Sequence, residues 1–296
     1  MRLDFPAHPP FSLSQVINAH GWPQLQPFHW NRESDELRRI ERLPSGSVVE
    51  LRFHAADDGM SVEIINPPGA LADANHQALA GAVGWMFGLD QDFSAFYALA
   101  RHEPRLAQAE ALAKGRMLRS ATLWEDTVKT ILTTNTTWSG TIRMVEALVA
   151  QWGEPLPDDS GRRAFPSPER LARTDADSLR TIGKLGYRTP YVLELARAVD
   201  SGALDLEALR ISDLPTLELR KRLLAIKGVG GYAAANLLMI LGHYDFVPVD
   251  SWALKLVSNE WHGSQPVGQA EVEAAFQDWG QWKGLAYWFW DWSNQS

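Results

Sequence analysis

The chain has 296 residues, of which 45% are hydrophobic, and it carries a formal net charge of −8 at pH 7. A chain of this length can bury a large core, and we expect it to divide into two or three lobes. It contains no cysteine, which excludes disulfides and thiolate-bound metals, including a four-cysteine iron–sulfur cluster. No apolar run reaches the length of a membrane span, and residues 1–16 lack the apolar core of a signal peptide. We therefore expect a cytoplasmic protein without a membrane partner.

Residues 1–86 differ in pattern from the rest of the chain. Short runs such as SVVELRFHA and MSVEIINP are separated by charged turns that contain glycine, which is typical of an antiparallel sheet. From Leu79 onward the spacing of apolar residues becomes helical. The predicted fold class is therefore α+β, with an N-terminal antiparallel β-sheet lobe followed by a mostly α-helical part.

Polar residues interrupt the helical part at three places. Residues 131–148 begin as a helix, break at a run of threonines around Asn135, and resume as a helix after Gly140. Threonine and asparagine favour such breaks because their side chains bond the nearby backbone. Residues 155–168 are rich in Pro, Asp, Arg and Gly, which predicts a loop between helices. The third stretch, residues 185–192, reads LGYRTPYV.

A glycine-rich turn separates two helical patterns later in the chain. Gly228, Gly230 and Gly231 permit backbone angles closed to other residues, so the turn can press its amides against phosphate oxygens where the next helix begins. That apolar helix is predicted over 232–242, and Asp250 stands where another helix, SWALKLV, begins. An aspartate there can cap the helix, and a cap also fixes its rotamer. One carboxylate therefore lies beside a turn suited to phosphate.

Five tryptophans crowd the last predicted helix and its flanks, in the segment 279–292. Aromatic rings mainly fill cores, and interdomain packing is one reading of this segment. The other reading is a pocket wall that stacks on an electron-poor ring, with cation–π attraction where that ring is charged.

These stretches together resemble the helix-hairpin-helix DNA glycosylase superfamily, between its alkylbase (3-methyladenine) and 8-oxoguanine branches. The hairpin glycines are followed at the expected distance by Pro248, Val249 and Asp250, which match the family's Pro-Val-Asp pattern. The likeness covers most of residues 115–292.

The resemblance implies a particular division of the chain. Residues 1–86 would form the N-terminal α/β lobe that both branches commonly carry. Residues 87–115 together with 251–296 would form one helical lobe, and residues 116–250 a second helical lobe that contains the helix-hairpin-helix.

The resemblance implies an enzyme of base excision repair that flips a damaged base out of duplex DNA and excises it. In bifunctional members, a lysine two residues after the second hairpin glycine attacks the sugar as an amine, and here Tyr232 stands at that position. This departure implies a monofunctional glycosylase that cuts by hydrolysis, without AP lyase activity. Asp250 is the candidate catalytic residue, because a carboxylate stabilises the positive charge that develops on the deoxyribose and can orient or deprotonate the attacking water.

The resemblance assigns DNA-binding roles of the 8-oxoguanine branch to three loop residues. Asn135 takes the place of the residue that enters the duplex where the flipped nucleotide was. Tyr187 and Arg188 match a Gly-Tyr-Arg loop, in which tyrosine wedges beside the unpaired base and arginine hydrogen-bonds it. Extruding a base requires such residues to fill the hole and hold the partner base. The ordinary alternative is a tyrosine packed at the surface and an arginine paired with an acid.

The resemblance also bears on the lesion. Trp288, Trp290 and Tyr232 are candidate walls of the base pocket. The glutamine that reads 8-oxoguanine in its own branch is replaced by Gly284. This loss, together with the missing lysine, points to an alkylated or otherwise damaged purine as the substrate.

The charge distribution is compatible with damaged double-stranded DNA as the partner. Residues 101–231 hold 20 Lys and Arg against 17 Asp and Glu, whereas the rest of the chain holds 8 against 19. We expect a monomer, associated with the nucleoid if the source is prokaryotic. No cofactor is required, and His243 and His262 are too isolated to predict a metal site. Relatives hold a monovalent cation on backbone carbonyls of the hairpin, which leaves no side-chain signature, so its presence here stays open.

Two alternative functions remain. The first is an 8-oxoguanine-type glycosylase that keeps lyase activity through a lysine from elsewhere, such as Lys227 or Lys255. The second is a non-catalytic protein that senses damage by flipping bases without excising them. The spacing of Asp250 from the hairpin would then have no chemical meaning.

Overall fold

The structure is a computed structural model that describes residues 1–65, 67, 72–157 and 159–290. It forms two compact units, each built from two stretches of the chain. One comprises Met1–Asp92 and Arg116–Glu207, and the other Phe93–Gly115 and Ala208–Ser296. The three-lobe division stays a prediction. The last of the five tryptophans, Trp292, lies outside the described residues.

The N-terminal sheet has five antiparallel strands in the order β1-β5-β4-β3-β2. The strands are β1 (Arg2–Pro6), β2 (Phe28–Asn31), β3 (Glu36–Arg42), β4 (Val48–Ala56) and β5 (Gly59–Ile65). In β4 the side chains of Val49, Leu51 and Phe53 alternate along the strand and are all buried, because every second residue of a strand points to the same face. The antiparallel sheet predicted for the N-terminal part is confirmed.

Helices make up most of the remaining chain. They are α1 (Leu13–Ile17), α2 (Asp73–Phe87), α3 (Ser94–Ala100), α4 (Leu123–Thr133), α5 (Trp138–Trp152), α6 (Pro168–Ala172), α7 (Ala176–Thr181), α8 (Thr189–Asp200), α9 (Leu206–Arg210), α10 (Thr216–Leu224), α11 (Gly231–Ile240), α12 (Ser251–Trp261), α13 (Gln269–Ala275) and α14 (Lys283–Phe289). The α+β class is confirmed. None of the described helices is long and apolar enough to cross a bilayer.

The break around Asn135 is present, but the next helix begins earlier than predicted. Helix α5 starts at Trp138, before Gly140, because the Thr137 side chain caps it by accepting a hydrogen bond from the Gly140 amide at 3.2 Å. A threonine oxygen at this position satisfies one of the amides that a helix start leaves without a partner.

The segment predicted as a loop at 155–168 contains a short hairpin. Strand β6 (Pro155–Leu156) pairs with β7 (Asp159–Arg163). Leu156 is buried with Ile40, Val48 and Ala164 in one cluster. The loop prediction was wrong here because it rested on the turn-forming composition of the segment. The sequence alone does not show that Leu156 is buried.

A buried charge cluster joins the sheet to helix α4. Arg39 on β3 makes a bidentate pair with Glu125 on α4, at 3.0 and 2.6 Å, and Lys129 contacts the same carboxylate at 2.6 Å. All three side chains are almost fully buried. Burial alone would raise the pKa of Glu125, but the charges of Arg39 and then Lys129 outweigh it and lower that pKa to about 2. The carboxylate therefore stays charged and compensates two buried cations.

Replacing Glu125 with Gln should destabilise the fold by about 3 kcal/mol at pH 7, because two buried cations lose their common anion. Since the folded pKa of Glu125 lies below its ordinary value of 4.5, its contribution is present above pH 4.5 and lost as the pH falls toward 2. The variant should lack that part of the acid sensitivity. Urea unfolding at several pH values measures both effects.

The matched control is Glu110→Gln. Glu110 pairs with Arg101 at 2.7 Å, but their side chains are 41% and 59% exposed, and such surface pairs contribute about 1 kcal/mol or less. Equal losses in the two variants would contradict the role assigned to the buried cluster.

Candidate functional site

The glycine turn joins helices α10 and α11 within the second unit. Gly228 has a φ of 89°, in the left-handed region, and the Val229 amide donates to the Ile226 carbonyl at 3.0 Å to close the turn. No side chain caps the first turn of α11. Because the first amides of a helix have no acceptor within it, these donors are available to an anion.

The three glycines differ in backbone conformation, so no single reason explains glycine at all three positions. Only Gly228 uses the backbone angles that glycine permits and other residues disfavour. Gly230 has φ −91° and ψ −173°, which other residues also adopt, and Gly231 already belongs to helix α11. A Cβ added at either position would meet nothing within 4 Å. Their lack of a side chain leaves the backbone uncovered at the helix start.

Asp250 caps helix α12 through one carboxylate oxygen. Its Oδ1 accepts hydrogen bonds from the amides of Trp252 at 3.0 Å and Ala253 at 2.8 Å. The same oxygen accepts a third bond from the hydroxyl of Tyr287 at 3.1 Å. Oδ2 accepts no hydrogen bond from any residue that the structure describes. The three hydrogen bonds on Oδ1 fix the rotamer, and the residue is partly exposed.

Tyr287 is a site residue that the sequence reasoning missed. It lies on α14, 37 residues beyond Asp250, and is buried. Burial and then the charge of Asp250 raise the pKa of its hydroxyl, so the hydroxyl stays protonated and remains a donor. The available signal was a single hydroxyl in an apolar run, since a buried tyrosine hydroxyl usually finds a hydrogen-bond partner.

Tyr232 lies on the first turn of α11 and is partly buried. Burial and then the negative charge of Asp250 raise its pKa. The structure therefore brings the hairpin, Tyr232 and Asp250 together within one unit. At Gly284 an added Cβ would lie 2.8 Å from the Phe246 carbonyl oxygen, so a larger side chain does not fit in this packing.

The two tryptophans predicted as pocket walls have different surroundings. Trp290 is buried, with its ring centroid 5.2 Å from that of Trp261 and 5.5 Å from that of Phe276. Its indole Nε1 is buried without a hydrogen-bond partner among the described residues. Trp288 is partly exposed and meets Tyr287 edge to face at 6.3 Å. Their roles as pocket walls stay predictions.

The three predicted DNA-contacting residues of the first unit lie together. Asn135 is exposed and has a φ of 47°, in the left-handed region. Half of Tyr187 is exposed, and its hydroxyl donates to the Thr134 carbonyl at 3.2 Å. Arg188 is buried, with its guanidinium 4.4 Å from the Tyr187 ring centroid.

Arg188 already has acceptors within the protein. Its Nη2 donates to the carbonyls of Thr134 and, at 3.1 Å, of Asn135. The side chain thus holds the loop that presents Asn135, rather than pairing with an acid as the ordinary alternative had it. Contact of Arg188 with an unpaired base stays a prediction.

Among the described residues, no group of three or more His, Asp or Glu side chains could hold a metal ion. A monovalent cation at the hairpin stays a prediction.

Comparison with known proteins gives a family and a set of similar folds. A family model described as HhH-GPD superfamily base excision DNA repair protein matches residues 128–281, which is more than half of the chain and includes the hairpin and Asp250. A DNA-3-methyladenine glycosylase of Bacillus subtilis (strain 168) is 25% identical over 183 residues, which cover 61% of this chain and 59% of that protein. The chain thus matches about three fifths of this relative's length.

Solved structures of both branches have a similar fold. The 3-methyladenine DNA glycosylase from Archaeoglobus fulgidus has a TM-score of 0.75 at 17% identity, covering 98% of this chain and 97% of that one. The Clostridium acetobutylicum 8-oxoguanine glycosylase/lyase, in complex with double-stranded DNA, has a TM-score of 0.72 at 18% identity, covering 94% and 90%.

Alanine substitutions at Gly228 and Gly231 should have different effects on stability, because only Gly228 has a backbone angle that disfavours alanine. Gly228→Ala should destabilise the protein by about 1 kcal/mol, because alanine is disfavoured at positive φ. Gly231→Ala should leave stability unchanged or raise it by up to about 1 kcal/mol, since its site is open and helical. Thermal unfolding of the two variants measures this difference, and an equal loss in both would contradict it.

Proposed function

Because the chain belongs to the HhH-GPD superfamily of base excision DNA repair proteins, we propose that it is a DNA N-glycosylase that removes damaged bases from duplex DNA. One observation carries the proposal. The Asp250 carboxylate is anchored through Oδ1, while Oδ2 accepts no hydrogen bond from the described residues, and it lies in the same unit as an uncapped helix start bordered by glycines.

The proposed reaction needs one carboxylate and one water. The bond between C1′ of the deoxyribose and the base nitrogen breaks, and its electron pair leaves with the base. Positive charge develops on the sugar, and the ionised Oδ2 of Asp250 stabilises it. The water oxygen then bonds C1′, and its proton passes to Oδ2 or to solvent. The products are a free base and an abasic site.

DNA binding would rest on backbone amides as well as on cationic side chains. The first amides of α11 lack a side-chain cap and would hold a phosphate beside the lesion, with Gly230 and Gly231 allowing the backbone to approach. In the first unit, Asn135 and the half-exposed Tyr187 would fill the space that the flipped nucleotide leaves. We include Arg188 as the contact to the unpaired base.

We propose that the enzyme is monofunctional and acts on alkylated or otherwise damaged purines. Tyr232 stands where bifunctional relatives carry their lysine, and a phenol cannot form a Schiff base with the sugar. The similar Bacillus subtilis protein is a 3-methyladenine glycosylase. The close packing at Gly284 leaves no room for the glutamine that reads 8-oxoguanine. Trp288 and Trp290 complete the proposed pocket walls. A monomeric state and a cytoplasmic location belong to the same proposal.

Excision assays on Asp250→Asn test this function. Asparagine caps helices as well as aspartate does, so the variant should fold, but it carries no charge to stabilise the sugar cation. End-labelled duplexes would contain 3-methyladenine, 7-methylguanine, 1,N6-ethenoadenine, hypoxanthine or 8-oxoguanine. The wild type should give strand breaks only after alkali, and the variant should be slower by a factor of about 100 or more.

Asp175→Asn is the matched control, because Asp175 caps α7 in the same way, accepting from the Ser178 amide at 2.8 Å. It should excise at the wild-type rate. Breaks without alkali, together with borohydride trapping on abasic DNA, would favour the lyase alternative through Lys227 or Lys255. DNA binding without release of any of these bases would favour the damage sensor.

Gly231→Ala tests the phosphate contact. The added methyl group lies in open space and so spares the fold, but it obstructs the approach of a phosphate to the helix start. The dissociation constant for abasic duplex should rise by a factor of about ten, the loss of roughly one charge-assisted hydrogen bond. Unchanged affinity, measured by fluorescence anisotropy, would remove the hairpin from the DNA interface.

A further inference from the structure

We propose that Tyr287 is a positioning residue of the Asp250 site, whose hydroxyl completes the anchoring of Oδ1 and leaves Oδ2 as the oxygen that faces the sugar. The inference rests on the proposed function and assigns different tasks to the two oxygens. Tyr287 contacts Asp250 directly, at 3.1 Å, and acts on the reaction through it.

The geometry carries this division of tasks. Two donors on Oδ1, the amides of Trp252 and Ala253, belong to the same helix start as Asp250. They restrain the carboxylate from one side only. The third donor, Tyr287, comes from α14 and is the only described side chain that hydrogen-bonds this carboxylate. A carboxylate that is held by two secondary-structure elements keeps its orientation better than one that is held only by its own helix. The direction of Oδ2 is therefore better fixed.

Tyr287 is itself fixed in place. Its ring is buried and meets Phe276 edge to face at 5.9 Å and Trp288 at 6.3 Å. The aromatic C-terminal segment therefore orients the hydroxyl in addition to filling the core. The hydroxyl does not ionise in the working range, because burial and the charge of Asp250 raise the pKa of Tyr287.

Among the described residues of this unit, the charge of Asp250 shifts the pKa of two tyrosines. Tyr232 on α11 and Tyr287 on α14 lie near enough for its charge to raise the pKa of each. On its own helix, the ammonium of Lys255 lies 5.4 Å from the Trp252 ring centroid. Tyr287 is the one of these groups that donates a hydrogen bond to the carboxylate.

Single-turnover excision by Tyr287→Phe at pH 7, on the substrate of the wild type, tests the inference. The rate should fall by a factor of about three to ten, as expected for loss of one hydrogen bond to a charged group. Affinity for abasic duplex should stay unchanged.

Tyr97→Phe is the matched control. Tyr97 is also a buried tyrosine of the second unit, and its hydroxyl donates to the Lys114 carbonyl at 2.7 Å. This variant should lose comparable stability but keep the wild-type rate. An equal loss of rate in both variants would reduce Tyr287 to a structural role and overturn the inference.

A second variant covers the case in which Tyr287→Phe does not fold. 3-Fluorotyrosine placed at position 287 keeps the shape of the ring and makes the hydroxyl a stronger donor. The single-turnover rate should then be at least that of the wild type, with unchanged affinity for abasic duplex, and a slower rate would overturn the inference.

The two proposals fail in different ways. If the wild type excises no base, the proposed function fails. If the wild type excises and Asp250→Asn does not, while Tyr287→Phe matches the wild type in rate, only the role of Tyr287 fails.

Discussion

The hydrogen bonds between the first turn of α12 and Asp250 are the constraint on which the candidate site depends. A helix start needs an acceptor for its unpaired amides, and an aspartate side chain supplies one with a single oxygen. The helix is thereby stabilised by about 1 kcal/mol, and the carboxylate acquires a fixed direction. The second oxygen takes no part in the cap. The helix cap uses Oδ1 and the proposed reaction uses Oδ2, so the two roles do not require the same atom.

Local patterns predicted much of this arrangement. The hairpin, the capping aspartate and the N-terminal sheet each follow from residues close together in the sequence, where turn and capping preferences act. The contact between Tyr287 and Asp250 joins residues 37 positions apart and depends on how α12 and α14 pack, which no local preference encodes. The hairpin at 155–163 was not predicted for the same reason. The burial of Leu156 with Ile40 and Val48 outweighs a composition that is typical of loops.

The glycine turn helps to explain how a chain with a net charge of −8 can be suited to a polyanion. Backbone amides at a helix start attract phosphate without adding side-chain charge. At Gly230 and Gly231 none of the described residues lies within 4 Å of the place where a Cβ would stand, so packing does not require glycine at either position. Binding through such amides carries a smaller salt dependence than binding through many lysines and arginines.

The guanidinium of Arg188 has a limited number of donors, and it already gives some of them to the carbonyls of Thr134 and Asn135. Its buried Nε has no acceptor among the described residues. If Nη2 is to serve a nucleobase, it must give up these carbonyls, and the loop that presents Asn135 then loses its support. Holding the loop and holding a base through that nitrogen are alternative states of one side chain. Insertion of Asn135 into a duplex and release of its carbonyl by Arg188 would then be coupled events.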